Sequence, residues 1–182
     1  MTPPPGEGLL CWIEVDLAKL RSNYAKLKNK LSPSVQILAV VKADGYGHGA
    51  LEIAQALQQA GCDFFGVSRV EEALALRRGG ITCRILILGN AYPFETTFRA
   101  AHEHNLALTL SSVQGARELA AFMKIRTGRI SVHLKMETGM QRIGARPAAL
   151  LEMMKTLSEA RGIDAAGLYT HLSSAKDAEV TN

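Results

Sequence analysis

Six short runs rich in apolar and β-branched residues recur along the chain, near 36–41, 64–68, 84–88, 106–110, 130–136 and 165–171. Stretches with helical spacing lie between them, as where Ile53, Ala56, Leu57 and Ala60 repeat at i, i+3, i+4, i+7. Runs that are apolar on both faces belong to a buried parallel sheet covered by helices, an α/β architecture. Right-handed crossovers leave two arrangements, an open doubly wound sheet or a (β/α)8 barrel. Six strands fall short of eight, so a barrel would be truncated after about six strands. Ser68-Arg-Val-Glu71 and Ser111-Ser-Val-Gln114 have the pattern of capping boxes. Pro147 suits a first helical turn, and Gly61, Gly79 and Gly162 stand where helices should stop. Cys11-Trp-Ile-Glu-Val-Asp16 alternates like one additional strand before the first helix.

Composition narrows the function classes. Of the 182 residues, 47% are apolar and 21% charged, ordinary for a soluble domain with a sizeable core. The apolar run Ile37-Leu-Ala-Val-Val41 is far too short for a membrane span. Met1-Thr-Pro-Pro-Pro-Gly6 has neither the basic nor the apolar region of a secretory signal, so residues 1–10 read as a disordered lead. Residues 11–182 then form a partial barrel domain. The net charge of +4 is scattered without a basic run, which argues against nucleic acid as a partner. Cys11, Cys62 and Cys83 are odd in number and lack metal-ligand spacing. They read as reduced thiols of a cytoplasmic protein, with no metal expected.

Three polar clusters close three of the strands. The first strand exits through Val41-Lys42 into Ala43-Asp-Gly-Tyr46-Gly-His48-Gly49. A lysine at the C-terminal end of a parallel strand stands where barrel enzymes place their chemistry. A lysine that forms a Schiff base must be a neutral amine, which burial and neighbouring cations such as Arg142 favour. By itself, a strand-end lysine is more often a solvent-facing charge. Gly45-x-Gly47-x-x-Ala50 also fits a loose dinucleotide fingerprint, the pattern of a nicotinamide dehydrogenase. However, Lys42-Ala-Asp44 separates that loop from its strand, and no acidic residue closes the second strand.

The second cluster, His133-Leu-Lys135-Met-Glu137-Thr-Gly139-Met-Gln-Arg142-Ile-Gly144, puts a lysine at another strand end. It also puts an arginine in a glycine-bounded loop, suited to two-pronged carboxylate binding. The third, Gly167-Leu-Tyr169-Thr-His171, ends the sixth strand. Each cluster has a plain structural reading as turn or surface charge. Together they converge, because the C-terminal ends of barrel strands share one mouth.

These segments resemble the bacterial alanine racemase family. The resemblance runs through Ala39-Val-Val-Lys-Ala-Asp-Gly-Tyr-Gly-His-Gly49, His133 to Gly144 and Gly167-Leu-Tyr-Thr-His-Leu-Ser-Ser174, and covers the chain from Trp12-Ile-Glu-Val-Asp-Leu17 onward. It implies a pyridoxal 5′-phosphate (PLP) enzyme of fold type III. Such an enzyme has a TIM-type barrel followed by a C-terminal β domain, which is absent from these residues, and works as a homodimer in the cytoplasm. Lys42 would carry PLP as an internal aldimine and act as one of two bases. Tyr46 would reach the cofactor phosphate. Arg142 would contact both the cofactor and the substrate carboxylate, held in place by Lys135, which is often carbamylated in relatives. His171 would lie against the pyridine ring. His48 receives no catalytic role.

The resemblance further implies interconversion of L- and D-alanine, with D-alanine feeding cell-wall peptidoglycan. The second base would be a tyrosine of the partner subunit's C-terminal domain, so these residues alone should have little activity. A PLP-binding barrel without turnover, or a racemase for serine or another small amino acid, are the neighbouring readings. Departures from the family pattern are Gly45 for a frequent Ala, Glu137 for Asp, Gln141 for Gly, and Lys176 in a usually polar stretch.

Overall fold

The computed structural model describes residues 11–175, so the expected lead over residues 1–10 and Lys176 lie outside the described residues. After α1 (Leu17–Lys28), strands and helices alternate: β1 (Ala39–Val40), α2 (Lys42–Gly47), α3 (Ala50–Gln59), β2 (Phe64–Val67), α4 (Val70–Arg78), β3 (Arg84–Ile87) and α5 (Phe94–Glu103). The alternation continues with β4 (Ala107–Leu110), α6 (Val113–Met123), β5 (Ile130–Lys135), α7 (Pro147–Ser158) and β6 (Ile163–Tyr169). All six strands are parallel and pair in the order β1-β2-β3-β4-β5-β6. Doubly wound sheets reverse strand order at a switch point, whereas sequential order throughout is that of a (β/α) barrel. The sheet therefore has the arrangement of six strands of such a barrel. No switch-point crevice exists among the described residues for a dinucleotide.

The period-two alternation of each strand sorts its side chains between two layers. Phe65, Val67, Ile85, Ile87, Leu108, Leu110, Val132 and Leu134 face the helices in the main core, with Phe98, Leu119 and Met153 supplied from α5, α6 and α7. Phe64, Leu86 and Ala107 form a smaller cluster on the other face, against which Leu38, Leu88 and Tyr169 pack. That second layer is the floor on which the polar clusters stand.

Helix starts lie one residue later than the sequence patterns suggest. Ser112, not Ser111, caps α6 by accepting from the Gly115 N–H at 3.1 Å. At α4 the cap position is Arg69, and Glu72 rather than Glu71 reaches back to it. Pro147 opens α7 as expected. The expected strand over 11–16 does not form. Asp16 instead caps α1, its carboxylate accepting from Ala18 and Lys19 N–H at 2.9 Å each. Alternation alone makes no strand where no neighbour supplies a ladder.

Candidate active site

Lys42 leaves β1 from a buried Val41, whose N–H is bonded to the Gly66 carbonyl of β2 at 2.8 Å. The next turn winds the wrong way. Ala43, Asp44, Gly45 and Tyr46 have φ between 52° and 62°, in the left-handed region. For the three residues with a side chain this costs roughly 1–2 kcal/mol each, so the surroundings must enforce it. They do so with polar contacts. The Asp44 carboxylate accepts from the Ala50 N–H at 2.8 Å, capping α3, and its carbonyl accepts from the Gly49 N–H at 3.0 Å. The His48 ring nitrogen bonds the Gly45 carbonyl at 2.9 Å, which gives that histidine a supporting place. Glu72 of α4 accepts from the Ala43 N–H at 2.7 Å. The α3 N-terminus, where a dinucleotide phosphate would sit, is thus filled by the carboxylate of Asp44.

Five residues singled out by sequence meet in one cavity of about 280 Å³: Lys42, Tyr46, Lys135, Arg142 and His171. The Lys42 Nζ lies 5.8 Å from the centre of the Tyr46 ring. Lys135 is 5% exposed, with Nζ 5.5 Å from the centre of the Tyr169 ring. Burial lowers its pKa, and the charges of Arg142 and Lys42 act in the same direction against the opposing pull of Glu137. Tyr169 pairs in register with Lys135 across β5 and β6, and its hydroxyl shares a 2.9 Å hydrogen bond with Thr109. Burial raises the Tyr169 phenol, countered by Thr109 and Arg142. Ser68 and Leu88 also line the cavity without having drawn notice as functional, and Tyr169 of the third cluster lines it without an assigned role. The only signal available for them was position, each falling at or just past a strand's C-terminal end.

The Arg142 loop is closed on itself. The Glu137 N–H bonds the Ala145 carbonyl at 2.9 Å, and the Ala145 N–H bonds the Lys135 carbonyl at 2.8 Å. The two limbs run so close that a Cβ on Gly144 would stand 2.7 Å from the Glu137 nitrogen, so only glycine fits there. The Glu137 carboxylate accepts from the Gly139 N–H at 2.6 Å. Backbone N–H donors at Gln141 and Gly139 hold its pKa below the usual carboxylate value. Gln141 sits at φ 52°, in the left-handed region that glycine adopts most readily. Thr138 and Thr170 hydroxyls meet at 2.6 Å, tying the loop to the segment that bears His171.

The donor set fits PLP, an aldehyde carrying a phosphate. Lys42 offers a primary amine. Lys135, Arg142 and His171 add cationic or polar nitrogen, Tyr46 a phenol, and no Asp or Glu lines the cavity. A cavity with that balance suits a polyanion and leaves its amine without an internal carboxylate partner. Among the described residues no cluster of metal-ligating side chains occurs, and no helix is long and apolar enough to cross a membrane.

Comparison with known proteins agrees with the fold. The family model described as "Alanine racemase, N-terminal domain" matches residues 15–182. The alanine racemase of Desulforamulus reducens is 38% identical over 167 residues, which cover 91% of this chain and 45% of that protein. The crystal structure of alanine racemase from Bacillus anthracis with bound L-Ala-P superposes with a TM-score of 0.84 at 34% identity, covering 92% of this chain and 43% of the other. A histidine racemase from Leuconostoc mesenteroides gives a TM-score of 0.82 at 27% identity, covering 90% and 44%. The chain thus spans a little under half the length of these relatives. Its match to the family over nearly all of its length makes it a member of the alanine racemase family, corresponding to the N-terminal domain.

Proposed function

We propose that this chain is the cofactor-bearing barrel portion of a PLP-dependent amino-acid racemase that interconverts L- and D-alanine. The observation that carries the reading is the placement of Lys42. Its amine enters a cavity without carboxylates, shared with Tyr46, Lys135, Arg142 and His171, at the C-terminal ends of the strands. When bound, PLP would supply an electron sink for the carbon losing its proton. Lys42 would hold the cofactor and accept or return the α-proton on one face of the substrate. Tyr46 would bind the phosphate. Arg142 would orient the substrate carboxylate through its guanidinium fork, and Lys135 would hold Arg142 in place. His171 would lie against the cofactor ring. A second base is needed on the opposite face, which in the family is a tyrosine of the partner subunit's C-terminal domain. These 182 residues by themselves would therefore turn over slowly or not at all, and the active form would be a homodimer.

Alanine is favoured over larger substrates because the similar proteins include alanine racemases, among them the one from Bacillus anthracis solved with bound L-Ala-P. The histidine racemase shows that the same barrel serves a bulkier side chain, which makes another amino acid the second reading. A cytoplasmic location and a supply of D-alanine to peptidoglycan follow from the same reading.

The test is borohydride reduction in the presence of PLP, followed by peptide mapping. The label should fall on Lys42 and disappear in Lys42→Ala. Label distributed over surface lysines would sink the proposal. Racemisation of L-alanine, scored against L-serine and L-histidine in the intact protein, then assigns the substrate.

A further inference from the structure

We propose that Glu72 is a positioning residue for Lys42, holding the left-handed turn in the shape that aims the amine. The proposal rests on the reading of Lys42 as the cofactor-bearing residue. The two oxygens of the carboxylate divide their work. Oε2 accepts from the N–H groups of Ser68 and Arg69, at 2.7 and 3.0 Å, which is ordinary capping at the start of α4. Oε1 accepts from the N–H of Ala43 at 2.7 Å, 29 residues away in sequence and adjacent to Lys42. Capping needs only the first oxygen.

The N–H groups that open a helical turn have no partner within it, and Ala43 is the second residue of α2. Three consecutive-side-chain positions around it, Ala43, Asp44 and Tyr46, are held at positive φ. Such a conformation persists only where outside contacts impose it. Asp44 and His48 secure the far side of the turn toward α3. Glu72 secures the near side, and it does so against β2 and α4, where Ser68 forms part of the cavity wall. One carboxylate thus fixes the base of Lys42 relative to the wall of the site. Glu72 does not line the cavity itself, so its effect on the chemistry passes through the backbone.

Glu72→Gln separates the two roles. The amide keeps one acceptor, which can stay on Ser68 and Arg69, and turns an N–H₂ donor toward the N–H of Ala43. In the intact protein, amide hydrogen exchange over residues 43–47 should accelerate roughly tenfold or more. Protection over residues 70–78 should stay within about twofold, and Glu71→Gln should change neither. Borohydride labelling should still select Lys42, but half-maximal labelling should need roughly tenfold more PLP. Unchanged exchange over 43–47, or equal loosening of 43–47 and 70–78, would overturn the proposal and leave Glu72 as a helix cap. Failure of wild-type protein to label at Lys42 would strike the racemase reading instead, while the exchange data still decide the clamp. Should Glu72→Gln not fold, the unmodified protein decides. A scalar coupling across the hydrogen bond from the Ala43 N–H to the Glu72 carboxylate carbon should be measurable, and its absence counts against the clamp.

Discussion

Lys135 carries an amine into a setting that penalises its charge. It is nearly fully buried, and its pKa is lowered first by that burial and then by Arg142 and Lys42. The folded protein therefore releases this proton more readily than the unfolded chain, whose lysine titrates near 10.5. Between the lowered value and that one the unfolded state binds more protons, so stability rises with pH across the window. On the acid side of the lowered value both states are protonated and the burial cost is fully present. Lys135→Met should accordingly raise stability at pH 7 by roughly 1 kcal/mol, and the gap to wild type should close as pH approaches about 10. Urea unfolding without added cofactor, at several pH values, measures this. A variant less stable than wild type at pH 7 would contradict the account. Individual side chains of the site are also what the sequence makes plainest. Lys42, Tyr46, Lys135, Arg142 and His171 were legible because each sits in a cluster of unlike polar residues closing an apolar run. Tyr169 belongs to the third of those clusters but its part was not legible there, and Glu72 stands in none of them. Tyr169 acts through its register with Lys135, and Glu72 through a contact with Ala43 that no local pattern encodes.

At the level of elements, the joints are made by backbone groups that side chains satisfy from a distance. Arg77 at the end of α4 is the fullest case. Its Nε donates to the His104 carbonyl at 3.0 Å, Nη1 to Ile81 and Cys83 at 2.8 and 2.7 Å, and Nη2 to Asn105 at 2.9 Å. Four carbonyls from the loops preceding β3 and β4 thereby meet on one planar group. Partial burial pulls its pKa down, against a smaller opposing pull from Cys83. Lysine keeps the charge but not the fork, so Arg77→Lys should leave at least two of those carbonyls unpaired. A loss of about 2 kcal/mol in urea unfolding is expected, with Lys42 labelling by PLP retained in the folded fraction. The same physics explains which element features escaped the sequence. Strands were placed to within a few residues because short, β-branched apolar runs bounded by turn residues are the pattern of a buried strand. Cap positions slipped by one because Ser111 and Ser112, or Glu71 and Glu72, are equivalent until the helix phase is set by packing. The left-handed turn after Lys42 was hidden because Ala43 and Tyr46 are poor candidates for positive φ, and only tertiary bonds hold them there.

For the molecule as a whole, alternation of strands and helices left a doubly wound sheet and a barrel equally open, since both obey the same crossover rule. Sequential pairing from β1 to β6 decides for the barrel, and among the described residues it leaves those two strands as the edges of the sheet. The β6 side is also apolar where it meets solvent. Leu168 is 58% exposed on the strand, and Leu151 and Met154, one turn apart on α7, are 69% and 53% exposed. Unpaired parallel edges offer rows of free N–H and C=O groups to any other chain, and apolar side chains beside them strengthen the contact. The 182 residues expressed alone should therefore self-associate in a concentration-dependent way, seen as a rising scattering mass at micromolar concentration. Charges placed beside the edge, as in Leu168→Lys with Leu151→Glu, should shift that association to higher concentration by roughly tenfold without disturbing β2 to β4. A monomer that melts in one sharp transition, unaffected by dilution, would mean that the edges are protected by contacts other than strand pairing. In that case the barrel reading would have to explain how six strands close off their own ends.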